Sequence, residues 1–402
     1  MHMSADVDVL VIGAGQAGLA VSHELSQRGV EHVVLEGDRI GSAWAGRWDS
    51  FCLVTPNSAI RLPGGEYRGT DPGGYLPRDE IVDHLTGYAA SFDAPVQEHH
   101  AVDRLEHDEA GFVARSPAGD IRSRRVVVCT GAYQRPHRPA FVDDLARQAP
   151  VVMSTEYRSP AALPAGPALV IGGGQSACQI AEELHAAGRE VTIAPGRAPS
   201  MPRRIAGRDG FDWLEDAGFF EQVLADQPSP AVRLAANPLA TGAGGGHDLS
   251  LRTLAGDGVG LVGRVLGVED GRLVVADDLA ETLVAGDAGF RLICDLARKA
   301  AAARGLPDPH PPEPLDAPIE TAEVPTLGDL GVVLVACGFR PAYDWVDVPG
   351  AFDETGFPIQ DAAVGRAADG LWFVGVPWLR RRKSPLLIGV GEDAALVADQ
   401  LA

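Results

Sequence analysis

Two stretches share one demanding arrangement: an apolar run, a glycine cluster and then a helical pattern. They are VLVIGAGQAGLAVSHEL, from Val9 to Leu25, and LVIGGGQSACQIAEEL, from Leu169 to Leu184. A strand that feeds a helix through such a turn is the phosphate-binding half of a βαβ unit. The first glycine makes the turn, the second lets the backbone approach a pyrophosphate, and the third lets helix and strand pack closely. In the first copy these are Gly13, Gly15 and Gly18, and in the second they are Gly172 and Gly174 with the permitted Ala177. The expectation is an α/β fold with two dinucleotide-binding Rossmann-like domains.

The surrounding pattern places each copy. Asp8 to Ile12 reads as a buried strand, Gln16 to Arg28 as a helix and His32 to Leu35 as a second strand. The pattern resets with a strand to Ile171, a helix from Ser176 to Ala187 and a strand from Glu190 to Ala194. A helix is also expected from Leu292 to Ala303, and the strand LWFVGVPW and a helix near Gly391 to Leu401 close the chain. The second unit is therefore expected as an insert at residues 163–337, within a discontinuous first domain made of 1–162 and 338–402.

The two sites differ at the end of the second strand. Glu36 lies where a carboxylate accepts from a ribose hydroxyl. The second site has Ala194 and Pro195 there, followed by Arg197, which suits a ribose phosphate and so NADP over NAD. Arg203 and Arg204 are further candidates for that phosphate, against the plainer alternative of solvated surface arginines. Two dinucleotides of different ribose chemistry suggest NADPH as hydride donor and FAD as acceptor.

Composition narrows the function. With 55 acidic and 34 basic residues the formal net charge is -21, which disfavours non-specific binding to nucleic acid or an anionic membrane. Five scattered cysteines without a CxxC pair fit a reducing cytoplasm and count against electron transfer to a disulfide. No apolar run approaches the ~20 residues of a membrane span. No His or Cys pattern has metal-ligand spacing. The opening MHM reads as partly a cloning remnant, and a strand by about Val7 leaves no room for a signal peptide.

In order, VIGAGQAGL, GSAWAGRWDSFCLVTPN, CTGAY, VIGGGQSA, CGFRP and WFVGVPW resemble the class B flavoprotein monooxygenases, and the resemblance spans nearly the whole chain. It is closest to a bacterial branch of flavoprotein oxidoreductases. The resemblance implies FAD in the first domain, at Gly13, Gly15, Gln16, Gly18 and Glu36. It places Trp44, Arg47 and Trp48 along the ribityl and ring side, Val102 at the adenine, and Thr130 with Gly131 in a nearby turn. Gly172, Gly174, Gln175, Ser176 and Arg197 would hold NADPH; Gly338 matches a second such turn, with Gly375 and Trp378 at the late strand end.

The implied activity is NADPH-dependent oxygenation of a small molecule by dioxygen through a flavin peroxide. Asn57, in VTPN, is the candidate donor to that group, against the alternative of setting the turn after Pro56. The cations Arg380, Arg381, Arg382 and Lys383 would bind NADPH phosphate or an acidic substrate, or neutralise reduced flavin; the alternative is a solvated basic turn. One departure stands out. Aligning the family's FxGxxxHxxxW/Y fingerprint on Tyr157 puts Met153 at its histidine. This motivates a second reading, an oxidase or dehydrogenase without oxygen insertion. A non-catalytic redox-sensing nucleotide-binding protein is the third.

Overall fold

The computed structural model describes residues 5–131 and 133–402, so the opening MHM lies outside the described residues. The first βαβ unit consists of β1 (Ala5–Ile12), α1 (Gln16–Gln27) and β2 (His32–Leu35). β1 runs parallel to β2, with Ile12 opposite Leu35, and parallel on its other side to β3 (Ile121–Val128), with Ile12 opposite Val128. Val9, Leu10 and Val11 are fully buried, as expected for a parallel strand covered on both faces. Burying each such side chain contributes roughly 2 kcal/mol.

The second unit is β5 (Ala168–Ile171), α2 (Gln175–Ala186) and β6 (Val191–Ala194), after a short edge strand, β4 (Val151–Met153). These strands share a five-stranded sheet with Gly260–Leu261 and β7 (Val332–Val335), which lies between β4 and β5. β4 belongs to this second sheet, so the chain enters it ahead of the expected boundary at residue 163. After the insert, β8 (Leu371–Phe373) returns to the first sheet and pairs in parallel with β3, Phe373 opposite Val128. The closing helix α4 (Val390–Leu401) packs on α1, where Arg28 Nε donates to Asp399 Oδ1 at 2.8 Å.

A long helix, α3, runs from Leu279 to Ala303, well beyond the expected Leu292 to Ala303. Its first half contains Gly286 and Gly289, poor helix formers by propensity. Packing explains Gly289: a Cβ there would come within 2.4 Å of the Pro199 side chain. No helix among the described residues is long and apolar enough to cross a membrane.

Candidate functional site

The two glycine turns open onto one cavity of about 1320 Å³. That exceeds the roughly 300 to 1,000 Å³ of a pocket for one small ligand. In the first turn Gly13 has φ +104°, and a Cβ there would meet the Cys129 carbonyl oxygen at 2.9 Å. Gly18 lies behind the cavity wall, where a Cβ would fall 1.7 Å from the Gly13 carbonyl oxygen. Gly15, by contrast, caps α1 and faces open space within 4 Å, a backbone cradle at a helix N-terminus.

Glu36 ends β2 beside that cradle. Its Oε2 accepts from Ala14 N at 2.7 Å, and its Oε1 from Asp38 N at 3.1 Å and Ser42 Oγ at 3.3 Å. A carboxylate offers about four acceptor positions, so one remains for a ribose hydroxyl. Trp44 Nε1 donates to Gln16 Oε1 at 3.0 Å, and both residues line the cavity. Val102, Thr130, Gly131, Gly338 and Gly375 also line it. Gly131, Gly338 and Gly375 have φ of +70°, +83° and +82°, so these bends turn their backbone in a way other residues resist.

The second turn repeats the design. A Cβ on Gly172, at φ +130°, would come within 2.3 Å of the Ala336 carbonyl oxygen, whereas Gly174 faces open space and caps α2. Ser176 lines the cavity at the start of that helix. Gln175 also lines it, but its amide is engaged by the Ala240 backbone, receiving Ala240 N on Oε1 at 3.0 Å.

At this end Arg197 Nη2 pairs with Glu281 Oε2 at 2.8 Å, and Arg264 Nε with Asp278 Oδ2 at 3.3 Å. Asp278 caps α3 and Glu281 lies in its first turn, so one helix start holds both arginines. Arg264 escaped the sequence reading because it follows a two-residue strand with no glycine signature.

Other expected residues lie elsewhere. Arg203 is 1 % exposed, pairs with Asp209 and donates from Nη1 to the Val54 carbonyl at 2.7 Å. It ties the insert to the cavity wall and is out of reach of a nucleotide phosphate. Arg204 sits 3.9 Å from Asp209 outside the cavity lining. Trp48 is buried behind that wall, edge-on to Phe51 with centroids 5.0 Å apart.

Asn57, proposed as a donor to the reacting group, has both ends of its amide engaged. Its Oδ1 accepts from Leu76 N at 2.7 Å and its Nδ2 donates to the Asp71 carbonyl at 2.9 Å. It is 2 % exposed, outside the cavity lining, and works as a loop pin.

Trp378, at φ +59°, is buried beside Arg382 and also lies outside the lining. The basic run turns back on the protein: Arg380 pairs with Asp393 at 3.0 Å and Lys383 with Glu392 at 2.6 Å. Arg381 reaches Glu392 at 3.3 Å, and Arg382 stacks over Phe219 at 3.8 Å. Burial lowers the Arg382 guanidinium to about 10.

Met153 ends β4 as core, its sulfur 3.8 Å from Arg138 Nη1. Tyr157, four residues on, donates to Glu183 Oε2 at 2.8 Å. Two cysteines, Cys129 and Cys337, do line the cavity. Burial pushes both thiols up, Cys337 to about 11, so neither is poised as a thiolate. His137, also in the lining, is held below its ordinary value by burial and by the Arg340 charge.

Comparison with known proteins adds four findings. Residues 10–204 match the family described as pyridine nucleotide-disulphide oxidoreductase. An uncharacterized CzcO-like oxidoreductase of Geobacillus kaustophilus is 29% identical over 397 residues, 98% of each chain. An indole-3-pyruvate monooxygenase of rice, YUCCA4, is 31% identical over 229 residues, 51% of this chain and 52% of that one. Among solved structures, a flavin-containing monooxygenase from Stenotrophomonas maltophilia superposes with a TM-score of 0.69 at 21% identity, covering 99% of this chain and 98% of that one. That likeness is one of fold.

Proposed function

We propose that this chain is a member of the flavoprotein monooxygenase family, an FAD-containing, NADPH-dependent oxidoreductase that oxygenates a small molecule with dioxygen. The observation that carries the reading is the single cavity onto which both glycine turns open. Two nucleotides held at these turns would share that space.

When bound, the two nucleotides supply hydride transfer and the reduction of dioxygen; the protein supplies binding, orientation and a dry site. Gly13 and Gly15, at the start of α1, hold the first pyrophosphate, and Glu36 fixes its ribose. Gly174 and Ser176 hold the second. Arg197 and Arg264, now paired with Glu281 and Asp278, would hold the ribose phosphate. Phe51, Leu53, Val54 and Phe339 wall the space between the turns against water. His137 stays neutral at pH 7 and adds no charge there. We place the protein in the cytoplasm on its scattered unpaired cysteines.

The family description names disulfide chemistry, but this chain has no CxxC pair and its cysteines are protonated and mostly buried. Met153 favours the second reading, an oxidase: a core methionine stands at the family's histidine and offers no proton. Anaerobic mixing with NADPH should bleach the bound flavin, and turnover of a substrate under labelled dioxygen should leave one labelled oxygen in the product. No bleaching would remove the whole reading. Bleaching followed by stoichiometric hydrogen peroxide, with every product unlabelled, would select the oxidase.

A further inference from the structure

The arginines that line the cavity are not equivalent. Arg197, Arg233 and Arg264 each pair with a carboxylate, on Glu281, Asp353 and Asp278. Arg158 donates to the carbonyl oxygens of Gly46, Thr155 and Tyr157. Arg47 has none of these. Among the described residues no carboxylate lies within ion-pair distance of it, and its Nε is buried without a hydrogen-bond partner.

In a chain of net charge -21 this is unusual. A guanidinium does not give up its proton at neutral pH, and a buried one without a counter-charge carries a desolvation cost that a bound anion offsets. Burial pulls its pKa down from the usual arginine value, in keeping with that cost.

Its position is fixed. Arg78 Nη1 donates to the Arg47 carbonyl at 3.2 Å, and Arg158 Nη1 donates to the neighbouring Gly46 carbonyl at 3.0 Å. The guanidinium carbon lies 5.9 Å from the ring centres of both Phe51 and Phe339. Phe339 meets Tyr133 edge-on at 6.1 Å, and Tyr133 is 50% exposed although it lines the cavity. A lone cation thus stands among aromatic faces, one of them uncovered. The phosphates of both nucleotides have their own donors, in the helix starts at Gly15 and Gly174 and in Arg197 and Arg264.

We propose that Arg47 is a specificity-determining residue that anchors the carboxylate of the substrate, so that the substrates are small monocarboxylates with a flat apolar body lying against Tyr133 and Phe339. The inference rests on the reading of the cavity given under Proposed function. The shared chemistry is an anionic group, and a nucleotide phosphate is the rival source.

The test titrates the FAD-loaded protein with phenylacetate and with neutral phenylacetamide, read by the flavin absorbance spectrum, in the native protein and in Arg47→Gln and Arg47→Lys. The native protein should hold the acid about tenfold to a hundredfold tighter than the amide, the scale of a charge-assisted pair. Arg47→Gln should lose that preference and Arg47→Lys should keep part of it. FAD content is read for each variant, because the family resemblance sets Arg47 on the flavin side, and KM for NADPH should stay within about twofold of native. The lysine variant keeps the test open if the glutamine variant fails to fold.

Equal binding of acid and amide, or no binding of either, overturns the proposal. So does a loss of FAD or a rise in KM for NADPH with the acid preference intact, which would assign Arg47 to a phosphate. The titration needs no turnover, so failure of NADPH to reduce the flavin would sink the wider reading separately.

Discussion

The two glycine turns follow the same plan and are finished differently. The first is closed tightly: Gly18 packs against the Gly13 carbonyl, and Glu36 reaches back to Ala14 N at 2.7 Å. The second is as tight at Gly172, where a Cβ would stand 2.3 Å from the Ala336 carbonyl oxygen, but accommodates a methyl group at its third position, where Ala177 stands. It ends in two exposed arginines, Arg197 held by Glu281, 66% and 70% exposed, and Arg264 held by the half-buried Asp278. A fixed carboxylate suits a nucleotide that stays; exchangeable ion pairs at an open mouth suit one that enters and leaves. The lesson is that a shared phosphate turn leaves residence to the residues around it.

The sharpest test of that contrast exchanges the third positions. Gly18→Ala should leave almost no flavin-bound folded protein, because its Cβ would fall 1.7 Å from a backbone oxygen, and overpacking of that severity costs more than about 3 kcal/mol. The reciprocal Ala177→Gly should lose only about 1 kcal/mol, a helix-propensity cost, in a denaturant titration. Similar losses in both would erase the distinction between the turns.

Arg203→Met comes next. It leaves Asp209, 4 % exposed, without its guanidinium, and breaking a buried pair costs about 3 to 5 kcal/mol. Chemical denaturation should record that loss while the preference for NADPH over NADH is unchanged. A collapse of the preference would restore Arg203 to the phosphate.

Arg197→Ala and Arg264→Ala should each raise KM for NADPH by about tenfold and leave KM for NADH nearly unchanged, since only NADPH carries the extra phosphate. Equal effects on both cofactors would show that these arginines serve the fold.

The smallest effect concerns pH. His32, opposite Val9 in the first unit, corresponds to Val191, opposite Ala168 in the second. Burial holds the His32 imidazole below its ordinary value. Its contribution to stability is therefore complete above the unfolded value of ~6.5 and is lost as pH falls through the folded one. Amide exchange at pH 7.5 and 5.0 should show protection falling around β2 and not around β6. His32→Val should flatten the difference.

Much of the fold was legible because it is local. The βαβ units announce themselves in short runs, and their elements fall within a residue or a few of the expected bounds. The first half of α3 was hidden because Gly286 and Gly289 argue against a helix, and only their packing against the segment from Ala198 to Ser200 overrides that preference. The site was legible in its backbone and less so in its side chains. Glu36 and Arg197 follow directly from strand ends, whereas Arg264 lies far along the chain from any motif. Asn57, Trp48, Trp378 and Arg203 stand in motif-rich stretches but point into walls and turns.

The sequence by itself therefore determined the two glycine turns, the carboxylate beside one and Arg197 beside the other, since each depends on the spacing of a few consecutive residues. The tertiary structure decided which charged groups remain available to a ligand. Arg203 is spent on Asp209, the run Arg380 to Lys383 is spent on the carboxylates and rings packed against it, and Arg47 is left without a counter-charge among the described residues. The reason is physical: a charge is neutralised by whatever lies within a few ångströms of it, and those neighbours come from parts of the chain that no local pattern connects.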